Sequence, residues 1–161
     1  YGSSEMISIS ADEIAASLEE INDVIHTEGG LAGIHVCANT DWGLILGTSV
    51  DIVNFDTYSY FDRFLLYGEQ LKQFIGRGGM IAWGLVPTGS ADALEAATVD
   101  ALVRRWEGQY NDLVALGVDR EQLFHQSLIS PSCGVGSLSL AQAHKVLTLT
   151  REVAAHIGAK C

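Results

Sequence analysis

Hydrophobic positions along the chain alternate between short apolar runs and longer segments in which they recur every three or four residues. The short runs predict four strands, at 31–37, 50–56, 79–86 and 123–129. The longer segments predict amphipathic helices, and the first begins at a capping box in which Ser10 is followed by Glu13. Further helices are predicted at 42–46, 61–74 and 94–113, and from 139 towards the C-terminus. The pattern therefore indicates a series of strand–helix units.

The order of these elements predicts an α/β fold with an all-parallel sheet, because each strand is followed by a helix that can return the chain. Two architectures fit, a small doubly wound sheet and half of a (β/α)8 barrel. A complete barrel takes about 250 residues, whereas this chain has 161 and begins with Tyr1 rather than methionine. We therefore interpret residues 1–161 as a single domain, the last four units of a barrel and part of a longer chain. Unpaired edge strands predict that it forms a homodimer.

Composition and charge exclude several classes of function. The apolar runs are the size of strands, and none approaches the span of about 20 residues that a transmembrane helix requires. Twenty acidic residues against nine Lys and Arg give a net charge of −11, which repels phosphate backbones and anionic lipid surfaces. We therefore expect neither a nucleic-acid nor a membrane partner. Three cysteines do not form a disulfide framework in a chain of this length, so we expect a reducing, cytoplasmic setting.

Candidate chemistry lies where the predicted strands end. His35 and Cys37 are two residues apart on one strand, so both side chains point to the same face. Asp56 ends the second strand and Cys133 follows the fourth, and the carboxyl ends of parallel strands share one rim of the sheet. Imidazole, carboxylate and two thiolates make a tetrahedral ligand set that suits Zn²⁺ rather than Mg²⁺ or Ca²⁺. The sequence therefore predicts that these four residues bind zinc.

Each of these residues also has an interpretation without a metal. His35 and Cys37 fit a hydrogen-bonded histidine and a small apolar thiol in a buried strand. Asp56 fits a strand-end residue that caps the following turn. Cys133 fits a buried thiol that serves packing alone.

Other residues near the same rim are candidates for binding a substrate. Asp41 and Tyr58 follow the first and second predicted strands, where a side chain can line a pocket or orient a ligand. His125 falls inside the fourth predicted strand, and we expect it to pack in the core. Cys161 is expected to be a tail residue rather than a ligand.

Four segments carry a resemblance to a known superfamily: His35-Val36-Cys37, the strand that ends in Asp56, residues 82–88 and residues 130–137. Together they resemble the C-terminal barrel of cobalamin-independent methionine synthase and its shorter relatives. The same superfamily contains uroporphyrinogen decarboxylase and the methylcobalamin:coenzyme M methyltransferases. The resemblance spans residues 30–157. It implies a (β/α)8 barrel on which His35, Cys37 and Cys133 bind a catalytic zinc ion.

The function that the resemblance implies is that of a zinc-dependent methyltransferase, or a fragment of one. Such an enzyme activates a thiol such as homocysteine for methyl transfer from a folate or corrinoid donor. The chain departs from the family at Asp56, where methionine synthases have a glutamate, and it holds only the last four units of the barrel. Two other functions stay open, a zinc-binding structural half-barrel without turnover and a metal-free decarboxylase-like enzyme in which Asp56 contacts the substrate.

Overall fold

The computed structural model of the chain describes residues 10–159. Within them lie four strands, β1 (Gly33–Val36), β2 (Ile52–Phe55), β3 (Met80–Val86) and β4 (Ser127–Pro131). The α-helices of this range are α1 (Ala11–Thr27), α2 (Trp42–Gly47), α3 (Thr57–Phe64), α4 (Gly68–Gly76), α5 (Ala91–Ala96), α6 (Val99–Ala115), α7 (Arg120–His125) and α8 (Leu140–Gly158). A short 3-10 helix, Leu65–Tyr67, joins α3 to α4. The expectation for Cys161 falls outside the described residues.

The four strands form one parallel sheet in the order β1-β2-β3-β4. This confirms the predicted α/β class and the parallel arrangement of alternating strands and helices. In the register of the sheet, His35 pairs with Asn54, Asn54 pairs with Ala82, and Ala82 pairs with Leu128. These four residues form one row across the same face of the sheet, because paired residues in adjacent strands point the same way.

The hydrophobic core lies on the opposite face of the sheet, beneath the helices. Val53, Phe55, Ile81 and Trp83 alternate with the row described above and are completely buried. Phe55 packs against Trp42 of α2 and Phe64 of α3, with ring centroids 4.7 Å and 4.3 Å apart. Helices thus cover one face closely, whereas His35 and Leu128, at the two edges of the other face, are exposed.

Helix α1 begins where the sequence predicts, at a capping box formed by Ser10 and Glu13. Near its end, His26 Nε2 lies 2.7 Å from a carboxylate oxygen of Asp51, just before β2. The same oxygen accepts the N–H of Ala32 at 2.7 Å. One carboxylate therefore joins α1 to the starts of β1 and β2.

The fourth strand was predicted wrongly at 123–129, since it runs from Ser127 to Pro131. Asp119 accepts the N–H of Gln122 and caps α7, so that Leu123 is buried as a helical residue. The predicted segment thus joins two apolar residues at the end of a helix to two in a strand, and the polar residues His125, Gln126 and Ser127 lie between them. His125, expected in the strand and the core, is instead exposed as the last residue of α7.

The helices predicted at 61–74 and 94–113 are each divided in the structure. Thr98 caps α6 by accepting the N–H of Ala101 at 3.3 Å, which separates α6 from α5. The segment predicted at 61–74 is divided by the 3-10 helix into α3 and α4. Among residues 10–159, no helix combines the length and the apolar character needed to cross a membrane.

Candidate metal centre

His35, Cys37 and Cys133 come together at the carboxyl end of the sheet. One ligand atom from each lies within 4.8 Å of the other two, and within residues 10–159 they are the one such group of three. The two sulfur atoms are 3.4 Å apart. His35 lies on β1, and Cys37 is the first residue after this strand. Because the two residues are two positions apart, their side chains point to the same face of the sheet. These three residues are called the His-Cys-Cys cluster below.

Cys133 reaches this cluster although β1 and β4 are opposite edges of the sheet. The preceding residue, Ser132, is buried, and its N–H donates to the carbonyl of Val86 at 2.9 Å. Its hydroxyl accepts the N–H of Thr88 at 3.0 Å and lies 3.0 Å from the Thr88 hydroxyl. The loop after β4 is thereby held against the loop after β3.

Gly84 on β3 permits this close approach. A Cβ atom at this position would collide with the carbonyl oxygen of Phe55 and lie 3.0 Å from the Cα atom of Ser132. The pairing of β3 with β4 is also irregular between Gly84 and Val86. Backbone from β2 and from the loop after β4 therefore meets over a residue that has no side chain.

His35 is held by Asn54 on the neighbouring strand. Nδ1 of His35 lies 2.5 Å from Oδ1 of Asn54. The amide nitrogen of Asn54 donates to the carbonyl of Ala82 at 2.8 Å and to the hydroxyl of Ser130 at 2.7 Å. A network from three other positions of the sheet therefore orients the imidazole ring.

The two thiols of the cluster differ in acidity. Its hydrogen bonds with the side chains of His35 and Cys37 and with the N–H of Gly134 hold the pKa of Cys133 below its ordinary value. The hydrogen bond with Cys133, burial, and the negative charges of Cys133 and Asp56 raise the pKa of Cys37. Cys133 is therefore the first of the two to become a thiolate, stabilised by the S–H of Cys37.

Asp56, predicted as a fourth ligand, lies outside this group of three. Its Oδ1 accepts the N–H of Ser59 at 2.9 Å and caps α3, which is the alternative interpretation given above. Asp56 nevertheless lines the same cavity as Cys37, and its negative charge contributes to the raised pKa of that thiol. A direct bond from Asp56 to a metal remains a prediction.

A cavity of about 450 Å³ adjoins the two sulfur atoms. Asp56, Tyr58, Thr88 and Ser90 contribute polar groups to a lining that is otherwise largely apolar. Tyr58 is held in place by Arg105, whose guanidinium carbon lies 4.1 Å from the centre of the Tyr58 ring. The predicted position of Tyr58 beside the candidate centre therefore agrees with the structure, while its role in binding a substrate is untested.

Asp41, the other predicted substrate-binding residue, does not line this cavity. Its Oδ1 accepts the N–H groups of Gly43 at 3.0 Å and Leu44 at 3.3 Å, and so caps α2. It lines a separate groove beside α1. A substrate at the His-Cys-Cys cluster would therefore meet Tyr58 without meeting Asp41 in this cavity.

Sequence reasoning missed the polar residues that support the cluster, Asn54, Thr88 and Ser132. Asn54 is two residues before Asp56, so the two-residue period of a strand places both side chains on the same face of the sheet. That signal could have placed Asn54 on the face of the candidate site, without showing that it pairs with His35. A larger groove of about 610 Å³ between α6 and α7 is lined by Trp106, Tyr110 and Phe124, and none of the three cluster residues lines it.

Comparisons of the chain with protein families, curated proteins and solved structures found no significant match. The superfamily resemblance therefore rests on the residues and motifs of this chain alone.

Proposed function

We propose that this chain carries the thiol-activating centre of a zinc-dependent methyltransferase. The observation that carries the proposal is the convergence of His35, Cys37 and Cys133 at the carboxyl end of a parallel sheet, beside a cavity. This end of the sheet is where α/β proteins place their active sites. The methyltransferase resemblance assigns the ligand role to the same three residues.

The donor set suits zinc. Two sulfur atoms and an imidazole nitrogen are soft or borderline ligands, which favour Zn²⁺ and disfavour Mg²⁺ and Ca²⁺. Three protein ligands are typical of catalytic zinc sites, whereas structural sites are closed by four. When bound, zinc would keep a coordinated substrate thiol deprotonated, so that its sulfur is a nucleophilic thiolate at neutral pH.

The surroundings of the cluster suit a small thiol with an aliphatic chain and a polar end. Cys37 and Cys133 line the cavity of about 450 Å³, so a substrate sulfur at the cluster would leave its tail in a mostly apolar cavity that also holds several polar side chains. The hydroxyl groups of Tyr58, Thr88 and Ser90 offer hydrogen bonds to such a tail. Homocysteine and coenzyme M are the acceptors that the resemblance suggests, and a folate or a methyl-corrinoid protein is the donor.

The sheet itself fits half of a (β/α)8 barrel. It has four parallel strands in chain order, with helices packed on one face and exposed residues at the edges of the other. A second copy of the chain would complete eight strands and place two His-Cys-Cys clusters on one rim. This homodimer, and a cytoplasmic location that keeps both thiols reduced, belong to the proposal.

Cobalt substitution tests the proposed centre, because Co²⁺ takes zinc sites and reports thiolate ligands through visible and ultraviolet absorption. The metal-free chain is titrated with Co²⁺, and then with homocysteine and coenzyme M. Homoserine, which has a hydroxyl in place of the thiol, is the matched control ligand. We expect one tightly bound Co²⁺ per chain, and a further rise in sulfur-to-cobalt absorption with the thiols but not with homoserine.

Substitution of the ligands completes this test. His35→Ala and Cys133→Ala should each weaken Co²⁺ binding at least several-fold, whereas His125→Ala, at the end of α7 and outside the cluster, should leave it unchanged. A chain that binds no Co²⁺ would refute the metal centre. Co²⁺ binding with a spectrum that no thiol alters would indicate a closed, structural site instead.

A further inference from the structure

The hydrogen-bond network around Asn54 determines which way its side-chain amide points. The carbonyl of Ala82 can only accept a hydrogen bond, and it lies 2.8 Å from the Asn54 amide nitrogen. The Ser130 hydroxyl donates to the carbonyl of Pro131 at 3.1 Å, so it accepts from the same amide nitrogen at 2.7 Å. Both contacts require the NH₂ group on this side of the amide. The amide oxygen must therefore face His35.

This orientation fixes the proton of His35. An amide oxygen has no hydrogen to donate, so the bond of 2.5 Å between Oδ1 of Asn54 and Nδ1 of His35 requires a proton on Nδ1. In a neutral imidazole the other nitrogen, Nε2, then carries the free lone pair. Histidines that bind metals are commonly held in this way, with the second ring nitrogen donating to an acceptor outside the metal's ligand set.

We propose that Asn54 is a positioning residue of the metal centre, which accepts the Nδ1 proton of His35 and so presents Nε2 to the metal. The inference rests on the metal centre proposed above. Asn54 does not contact the metal itself in this proposal. It affects metal affinity only by orienting the imidazole ring of His35.

A merely structural role for Asn54 is the competing explanation, because its amide also joins β2 to β3 and β4. Loss of these contacts could loosen the whole rim and weaken metal binding without any effect on the imidazole. The two roles differ in one respect. A positioning role disappears when His35 is removed, whereas a structural role persists through Cys37 and Cys133.

A double-mutant cycle makes this distinction. Co²⁺ affinity is measured by competition with a chelator for the unaltered chain, Asn54→Leu, His35→Ala and the double variant. Leucine has a similar shape to asparagine but accepts no hydrogen bond. We expect Asn54→Leu to weaken Co²⁺ binding about 10- to 100-fold when His35 is present, and by less than about twofold when His35 is already alanine.

A second measurement needs no variant at position 54. In the zinc-loaded chain labelled with ¹⁵N-histidine, the nitrogen shifts identify the metal-bound ring nitrogen, and His35→Ala assigns the signals. We expect zinc on Nε2 of His35 and a proton on Nδ1. Zinc on Nδ1, or equal losses from Asn54→Leu in both backgrounds, would overturn the role of Asn54 alone. Failure of the unaltered chain to bind Co²⁺ or zinc would overturn the metal centre as a whole.

Discussion

The carboxylate of Asp56 accepts the N–H of Ser59 and so contributes to the stability of α3. Loss of such a cap costs about 0.5–2 kcal/mol, whereas serine caps a helix about as well as aspartate. If Asp56 is a metal ligand, serine should not replace it, because metal binding at this position needs the carboxylate. Two substitutions therefore separate the cap from a ligand role.

We predict that Asp56→Ala lowers the free energy of unfolding by about 1 kcal/mol, and that Asp56→Ser largely retains it. Both variants should bind Co²⁺ much more tightly than His35→Ala, because Asp56 lies outside the group of three ligands. Urea denaturation and Co²⁺ titration measure the two effects. If both substitutions weaken Co²⁺ binding as strongly as His35→Ala, Asp56 is a direct ligand, as the sequence predicts.

The two cysteines of the cluster should differ in reactivity in the metal-free chain. The thiolate is the nucleophile, and the pKa of Cys133 lies below its ordinary value whereas that of Cys37 lies above it. As the pH rises, Cys133 therefore ionises first. We predict that iodoacetamide modifies Cys133 at a lower pH than Cys37, although Cys37 is the more exposed residue.

Peptide mass spectrometry after short treatment at several pH values measures this difference. Prior addition of Zn²⁺ should protect both residues, because coordinated sulfur is unavailable for alkylation. Faster modification of Cys37 across the whole range would contradict the assignment of the first thiolate to Cys133.

Much of the cluster could be predicted from the sequence, because it depends on the two simplest properties of a parallel sheet. The two-residue period of a strand places His35 and Cys37 on one face. The carboxyl ends of parallel strands lie at one rim of the sheet, so Cys133, after the fourth strand, is expected near them. Asn54 depends on register, and a sequence pattern shows which face a residue occupies without showing which residue it pairs with. Asp56 could not be resolved, since one carboxylate can cap a helix or bind a metal.

At the scale of elements, Gly84 on β3 allows the end of β2 and the loop after β4 to approach closely, and that loop carries Cys133. A methyl group there would collide with backbone, which cannot rotate aside as a flexible side chain can. Gly108 on α6 offers a matched comparison, because a Cβ atom at that position meets nothing within 4 Å. The same substitution should therefore have opposite effects at the two positions.

We predict that Gly84→Ala destabilises the chain by about 1–3 kcal/mol and weakens Co²⁺ binding, because Ser132 must move and Cys133 follows it. Gly108→Ala should stabilise the chain by about 0.5–1 kcal/mol, since alanine is favoured over glycine inside a helix. Urea denaturation of both variants and their Co²⁺ titrations provide the measurement. A Gly84→Ala variant with unchanged stability and unchanged affinity would show that the close approach is not required.

The positions of the first three strands could be predicted because each is a short apolar run bounded by glycine or polar residues. The fourth could not, since the segment 123–129 takes its first apolar residues from the end of α7 and its last from β4, with His125, Gln126 and Ser127 between them. Asp119 and Thr98 indicate where α7 and α6 begin, which the hydrophobic pattern does not show. Both are residue types that cap helices, and both mark boundaries that hydrophobic periodicity passes over.

At the scale of the whole molecule, helices cover one face of the sheet and leave residues at the edges of the other face exposed. Parallel sheets are almost always covered on both faces, yet here His35 is exposed and Leu128 is 45% exposed on the face away from the helices. Strands β1 and β4 are also the edges of the sheet, with backbone groups on one side that no strand among residues 10–159 pairs with. Alternation of strands and helices predicts the parallel sheet but does not show what closes it.

We predict that the chain forms a dimer in which β4 of each copy lies beside β1 of the other. A twofold axis along the barrel keeps all eight strands parallel, so both open edges become paired and Leu128 becomes buried. Leu128→Glu would place a charge inside the closed barrel and should give a monomer that remains folded. Leu66→Glu is the matched control, because Leu66 is 74% exposed in the 3-10 helix between α3 and α4, away from both edge strands. Native mass spectrometry and sedimentation of the three proteins provide the measurement. A monomeric unaltered chain, or a Leu128→Glu variant that stays dimeric, would exclude this closure.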